Sequence, residues 1–274
     1  MPSQKVLLIY PLLNRTKGER DYHWFPFSVL PIAKSLRELN LEPIVVDRRV
    51  EPESIETIKG HLQDSLMVGI SALSGYQITD GLHVAKIIRG LRPDVPIVWG
   101  GWHSTILPEE TAQDSCVDVA VAGRGEDAIK DIARSYLGAK GLGSIKGIAF
   151  SDDKEVRFTG YRETKQFVDD VRGYDDFIDV KRYINPKTMA IGYFSGHGCS
   201  FKCGFCSRHF MTNKYSPKPI ERVMDELAYY ITKYGFKHIH FQDDNLFLDI
   251  RRVIELSKAI VNADHDVSWW ANVR

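Results

Sequence analysis

Short apolar runs separated by amphipathic stretches set the pattern of the first half of the chain. Val6–Tyr10, Pro43–Asp47, Leu66–Ser71, Val95–Trp99 and Asp118–Ala122 each read as a buried strand. Between them, apolar positions at helical spacing predict helices over Val29–Leu39, entered through Pro26 and Pro31, and near Pro52–Leu62, Ile78–Leu91 and Glu126–Tyr136. Strands alternating with helices predict a doubly wound parallel sheet of the flavodoxin-like or Rossmann-like kind. Such sheets bind ligands beyond the carboxyl ends of their strands, near the switch in strand order. The residues expected there are Pro11–Asn14, Ser71–Ser74, Gly100–Ser104 and Gly123–Glu126. Taken singly, a glycine after a strand is ordinary turn chemistry; together, small residues let a large flat ligand approach the backbone. No Gly-x-Gly-x-x-Gly follows the first strand, which disfavours a dinucleotide.

The pattern changes after residue 140. Ile145–Phe150 and Glu155–Phe158, around the turn Ser151-Asp152-Asp153-Lys154, predict a β-hairpin. Residues 163–187, with Asp169-Asp170, Asp175-Asp176 and Pro186, read as a solvated linker of little regular structure. Alternation then resumes: strand Met189–Phe194, helix Pro219–Tyr234 with Ile220, Val223, Leu227 and Ile231 on one face, strand Lys237–Gln242, helix Ile250–Val261 and strand Val267–Val273. The expected organisation is an N-terminal domain over 1–140, a hairpin and linker over 141–187, and a second α/β domain over 188–274.

Composition narrows the function classes. Lys+Arg and Asp+Glu are equal at 36 each, so nothing suggests a nucleic-acid footprint or an acidic-membrane surface. No run approaches the roughly 18 apolar residues of a membrane-spanning helix, and the start enters Lys5–Tyr10 without a leader pattern. The chain has 4 cysteines, Cys116 alone and the others clustered, which is not a secreted disulfide framework. A cytoplasmic, low-oxygen setting is expected.

Candidate chemistry lies in Gly196-His197-Gly198-Cys199-Ser200-Phe201-Lys202-Cys203-Gly204-Phe205-Cys206, on the loop from a strand's carboxyl end to a helix. Three thiolates so close can hold an iron–sulfur cluster or a metal. A [4Fe–4S] cluster held by three cysteines leaves one iron open to an external ligand. A structural zinc site needs a fourth protein ligand, for which His197 or His209 would serve.

The spacing Cys199-x3-Cys203-x2-Cys206, with Phe205 before the last cysteine, resembles the signature of radical S-adenosylmethionine (SAM) enzymes. The resemblance implies a [4Fe–4S] cluster on those three cysteines, SAM chelating the open iron, and reductive cleavage of SAM to methionine and a 5′-deoxyadenosyl radical. Phe205 would pack beside the cluster, and the Gly204–Phe205 backbone would lie near the adenine of SAM. Asp243 and Asp244, in the polar cluster Asp243-Asp244-Asn245 at a strand's end, would accept from its amino group or cap the next helix.

Gly100-Gly101-Trp102-His103-Ser104 with Pro108-Glu109, then Gly123-Arg124-Gly125-Glu126, is similar to the cobalamin-binding domain of one branch of that family. This branch includes anaerobic magnesium-protoporphyrin monomethyl ester cyclase and many methyltransferases. It implies a cobalamin site using Asn14, Ser71, Ser74, Gly100, Gly101, His103, Gly123, Gly125 and Glu126. The branch typically lacks Asp-x-His-x-x-Gly, absent here too, so His103 reads as a loop or tail contact rather than a cobalt ligand. The implied activity is methyl transfer or cyclisation on a small-molecule substrate, with an electron donor such as flavodoxin or ferredoxin. Two alternatives are an N-terminal domain acting only as a scaffold and a non-catalytic zinc-binding module. The family's barrel needs more units than follow Met189, so an incomplete radical SAM (β/α) barrel and a truncated chain are expected.

Overall fold

The computed structural model describes residues 4–14, 24–152, 155–163, 169–207 and 214–273. They form two compact units, one of Met1–Glu19 with Pro26–Thr164 and one of Arg20–Phe25 with Lys165–Arg274.

The first unit is a seven-stranded sheet. Strands β1 (Lys5–Tyr10), β2 (Glu42–Asp47), β3 (Ser65–Ser71), β4 (Ile97–Gly100) and β5 (Val119–Val121) run parallel. They alternate with helices α1 (Leu30–Arg37), α2 (Ser54–Leu62), α3 (Tyr76–Leu91), the short α4 (Trp102–Ile106) and α5 (Pro108–Ala112), and then α6 (Glu126–Tyr136). The strand order starts 2-1-3-4-5, so the switch point lies between β1 and β3. These strands are near-continuous apolar runs because both faces are covered. On one face Leu7, Ile9, Val68 and Ile70 join Ile58 and Leu62 of α2 and Val84 and Ile88 of α3 in one core; α1 packs with α6.

The hairpin departs from its expected place in a separate segment. β6 (Ile148–Asp152) pairs antiparallel with β5, and β7 (Glu155–Phe158) pairs with β6. Its apolar residues Ile148 and Ala149 are fully buried, so the hairpin extends the sheet and covers the edge that β5 would otherwise expose.

In the second unit, β8 (Ala190–Tyr193), β11 (His238–Phe241) and β12 (Ser268–Ala271) form a parallel sheet, with α7 (Ile220–Tyr234) and α8 (Ile250–Asn262) as crossovers. A small antiparallel pair, β9 (Gly196–His197) and β10 (Ser216–Pro217), lies between β8 and α7. The two tryptophans of β12 take opposite faces, Trp269 against Phe241 and Trp270 against His240. Helix α7 buries Val223, Glu226, Leu227 and Tyr230 rather than the expected all-aliphatic stripe, with Ile220 and Ile231 only half-buried.

The described part of the linker is also not a solvated tether. Asp175 Oδ2 accepts hydrogen bonds from Tyr229, Tyr234 and Lys233 of α7, and the Asp175 side chain is 3% exposed. Val171 O accepts from the Tyr230 hydroxyl, and Tyr174, Val180 and Tyr183 are buried. Tyrosines on α7 supply polar tips that apolar periodicity alone does not reveal. Among the described residues no helix is long and apolar enough to cross a membrane.

Candidate functional site

Each unit gathers candidate residues at the carboxyl ends of its strands. In the first unit, the loop after β4 turns at Gly101, whose φ of +93° suits only glycine; a Cβ there would stand 2.7 Å from Ala72 O. The turn seats the start of α4 against the loop after β3: His103 N–H donates to Ala72 O at 3.1 Å, and His103 Nδ1 lies 3.2 Å from Ser74 Oγ. Burial pushes the His103 imidazole below its ordinary pKa, which favours its neutral form. Thr105 Oγ1 donates to Gly101 O at 2.7 Å and accepts the Gly123 N–H at 3.1 Å, joining the β4 and β5 loops. Ser71 Oγ donates to Ser28 Oγ at 2.8 Å.

Not every predicted residue serves the same surface. Gly125 stands against Ile32 of α1, where a Cβ would come within 2.9 Å, so its small size is used in helix packing. Glu126 is engaged by Arg124 at 2.9 Å, and Asn14 is exposed. The sequence reading missed the residues that fix the β1 loop. Gln77 donates to Pro11 O at 3.0 Å and accepts from Leu73 N–H at 2.9 Å. Asp80 accepts Leu12 N–H at 2.9 Å and is paired with Arg48 at 2.7 Å. Both acceptors sit on α3 amid an apolar stripe, where their polarity in a core-facing position was the available signal.

Space is open where a Cβ would stand at Gly100 and at Gly123, and Gly123 has a φ of +88°. The Ser104 hydroxyl is fully buried and has no hydrogen-bond partner among the described residues.

In the second unit, Cys199, Cys203 and Cys206 lie on the loop between β9 and β10, all half-buried and none in a disulfide. Phe205 is 95% exposed, and a Cβ at Gly204 would meet nothing. Among the described residues no group of three or more His, Cys, Asp or Glu side chains is assembled as a metal-binding set. The loop supplies the donor chemistry of a three-cysteine site without drawing the sulfurs together. His197 stacks on Phe194 with ring centroids 5.0 Å apart; His209 lies outside the described residues.

Asp243 and Asp244 are both tied to this loop. Asp243, at the end of β11, accepts from Ser195 N–H at 2.9 Å and from Ser195 Oγ at 2.8 Å. Asp244 accepts from Gly198 N–H at 3.1 Å. Burial raises the Asp243 carboxyl to about 6, against the opposing pull of the Ser195 hydrogen bonds and Arg252. The sequence placed the pair at the right strand end; their attachment to the cysteine loop needed the tertiary structure.

Known proteins match this arrangement. Residues 16–133 match the B12 binding domain family. With this match and a parallel β/α unit that carries three cysteines, the chain is similar to proteins of the cobalamin-binding-domain radical SAM kind. It is 29% identical, over 100% of its length, to an uncharacterised methyltransferase of Pyrococcus horikoshii, and covers 61% of that protein. It is 23% identical to the anaerobic magnesium-protoporphyrin IX monomethyl ester cyclase of Cereibacter sphaeroides, with 98% of this chain and 46% of the cyclase covered. Among solved structures, the radical SAM methyltransferase TsrM of Kitasatospora setae, with cobalamin and a [4Fe–4S] cluster bound, superposes with a TM-score of 0.78 at 18% identity. That likeness covers 98% of this chain and 56% of TsrM, and shows a shared fold. The chain thus spans about half to three-fifths of the length of the curated relatives it matches.

Proposed function

We propose that this chain supplies the cofactor-binding part of a cobalamin-dependent radical SAM enzyme, with the second unit forming the first units of a radical SAM (β/α) barrel. Cys199, Cys203 and Cys206 hold a [4Fe–4S] cluster, and the ledge of Gly100, Gly101, His103, Ser104 and Gly123 holds cobalamin. Bound there, a [4Fe–4S] cluster would supply the electron for reductive cleavage of SAM, and cobalamin would supply methyl-transfer or cyclisation chemistry.

The chain's own residues bind and orient. Asp243 and Asp244 fix the start of the cysteine loop. Exposed Phe205 and open Gly204 leave a face on which SAM can lie. Neutral His103, bonded to Ser74, would be a loop or tail contact for cobalamin, with Ser71 beside the Gly101 turn; Asn14, exposed after β1, would be a further contact. The substrate is a small molecule, and a flavodoxin- or ferredoxin-type donor supplies the electron.

The observation that carries this reading is the three-cysteine loop at the carboxyl end of a parallel β/α sheet, on a chain whose first unit matches the B12 binding domain. The test is anaerobic reconstitution with iron, sulfide and hydroxocobalamin, then desalting, iron analysis and a visible spectrum. About four irons per chain, lost in Cys203→Ala while a cobalamin spectrum remains, is the expected result. Iron without cobalamin makes the first unit a scaffold. Zinc in place of iron refutes the enzyme reading.

A further inference from the structure

Ser195 stands where the chain leaves β8 for the cysteine loop, and it is fully buried. Its amide and hydroxyl donate to the two carboxylate oxygens of Asp243. Its carbonyl accepts from Lys218 N–H at 2.9 Å and from Arg252 Nη2 at 3.0 Å. The same Arg252 Nη2 donates to Lys218 O at 2.8 Å. A guanidinium amino group carries two N–H bonds; here one closes on the residue that opens the cysteine loop and the other on the residue that ends it. Just inside, Gly196 pairs with Pro217 and His197 with Ser216 in an antiparallel neck. All three cysteines lie between Ser195 and Lys218.

Among the described residues, Arg252 reaches this point from α8 through Nη2 alone. It lies in the first turn of α8, where Asp249 caps the helix by accepting from Arg251 N–H at 3.0 Å and Arg252 N–H at 3.2 Å. It is 8% exposed, so its hydrogen bonds to carbonyls form away from water, where charge-assisted bonds are strong. Four separate places in the second unit therefore meet at one point: the end of β8, the approach to α7, the end of β11 and the first turn of α8.

We propose that Arg252, acting with Ser195 and Asp243, is a positioning clasp for the iron–sulfur loop. This rests on the cluster reading above. The clasp does not touch the metal. It fixes the distance between the loop's ends, which removes much of the closure entropy that three cysteines on a long free loop would oppose to cluster binding. It also sets the orientation in which the sulfurs meet the iron, as outer residues commonly do at metal sites.

The experiment compares the full chain with its Arg252→Gln, Arg252→Lys and Ser195→Ala variants after anaerobic reconstitution with ferrous iron and sulfide. It reads iron per chain, the electron paramagnetic resonance spectrum of the reduced cluster, and thermal unfolding of the metal-free protein. Expected for Arg252→Gln are a metal-free protein that still unfolds cooperatively, iron below half the wild-type level, and an altered spectrum from the cluster that remains. Arg252→Lys, which keeps charge and donors, recovers part of the loss. Wild-type iron content and an unchanged spectrum in both Arg252→Gln and Ser195→Ala overturn the clasp alone. Absence of iron from the wild-type protein overturns the cluster reading, and the clasp with it. If Arg252→Gln does not fold, Ser195→Ala, which removes only a hydroxyl, decides by the same readouts.

Discussion

Lys218 Nζ lies 2.5 Å from Glu226 Oε2, with the two side chains 1% and 0% exposed. The same oxygen accepts from Tyr193 OH at 2.7 Å, and Arg222 Nε donates to the other carboxylate oxygen at 2.9 Å. Burial lowers the Lys218 pKa, opposed by its attraction to Glu226, and raises that of Tyr193 well above its ordinary value. Taking one charge from such a pair strands the other. Lys218→Met is expected to cost about 3 kcal/mol in denaturant unfolding, and Lys218→Met with Glu226→Leu to recover most of that. A double variant no better than the single one would show that Glu226 is satisfied by Tyr193 and Arg222.

The Asp243 carboxyl gives the fold a pH dependence of known sign. Its folded pKa of about 6 lies above the ordinary 3.8, so the folded state holds the proton more tightly than the unfolded chain. Its contribution is full below about pH 4, falls as pH rises towards 6, and is constant above. The change is on the order of 3 kcal/mol, from about two units at 1.36 kcal/mol each. Asp243→Asn cannot ionise. The wild-type stability relative to this variant should therefore decline between pH 4 and 6 and then level off, as read by urea unfolding at stepped pH.

Gly101→Ala tests the turn beneath the proposed cobalamin ledge. The φ of +93° and the 2.7 Å approach to Ala72 O leave no relaxed place for a methyl group. A loss of about 2–3 kcal/mol is expected from backbone strain, together with weaker hydroxocobalamin retention on desalting. Gly100→Ala, where space is open, should keep stability within about 1 kcal/mol while still weakening cobalamin retention.

Gly192→Ala probes the opposite unit. A Cβ at this β8 position would stand 3.0 Å from the indole of Trp24, which also lies edge-on to His240 with ring centroids 4.9 Å apart. The added methyl should displace the indole at a cost of about 1–3 kcal/mol and shift tryptophan emission. An unchanged spectrum with wild-type stability would show that Trp24 moves aside freely.

What the sequence determined by itself was local and periodic. Runs such as Leu66–Ser71, bounded by helical stretches, specify strands buried on two faces, and the Cys199, Cys203 and Cys206 spacing specifies three sulfurs on one strand-to-helix loop. Both signals reside in neighbouring residues, where backbone geometry links spacing to placement. The tertiary structure decided which distant groups meet. Asp243 is 48 residues from Ser195, and Arg252 57 from it, and no periodicity relates them. Asp175 read as a solvated acid until three side chains of α7 were found converging on it. The hairpin was legible as a hairpin, but its pairing with β5 depended on which sheet edge stood open. Polar side chains reveal their partners only when the chain closes on itself, because a buried hydrogen bond depends on distance in space and not on separation along the chain.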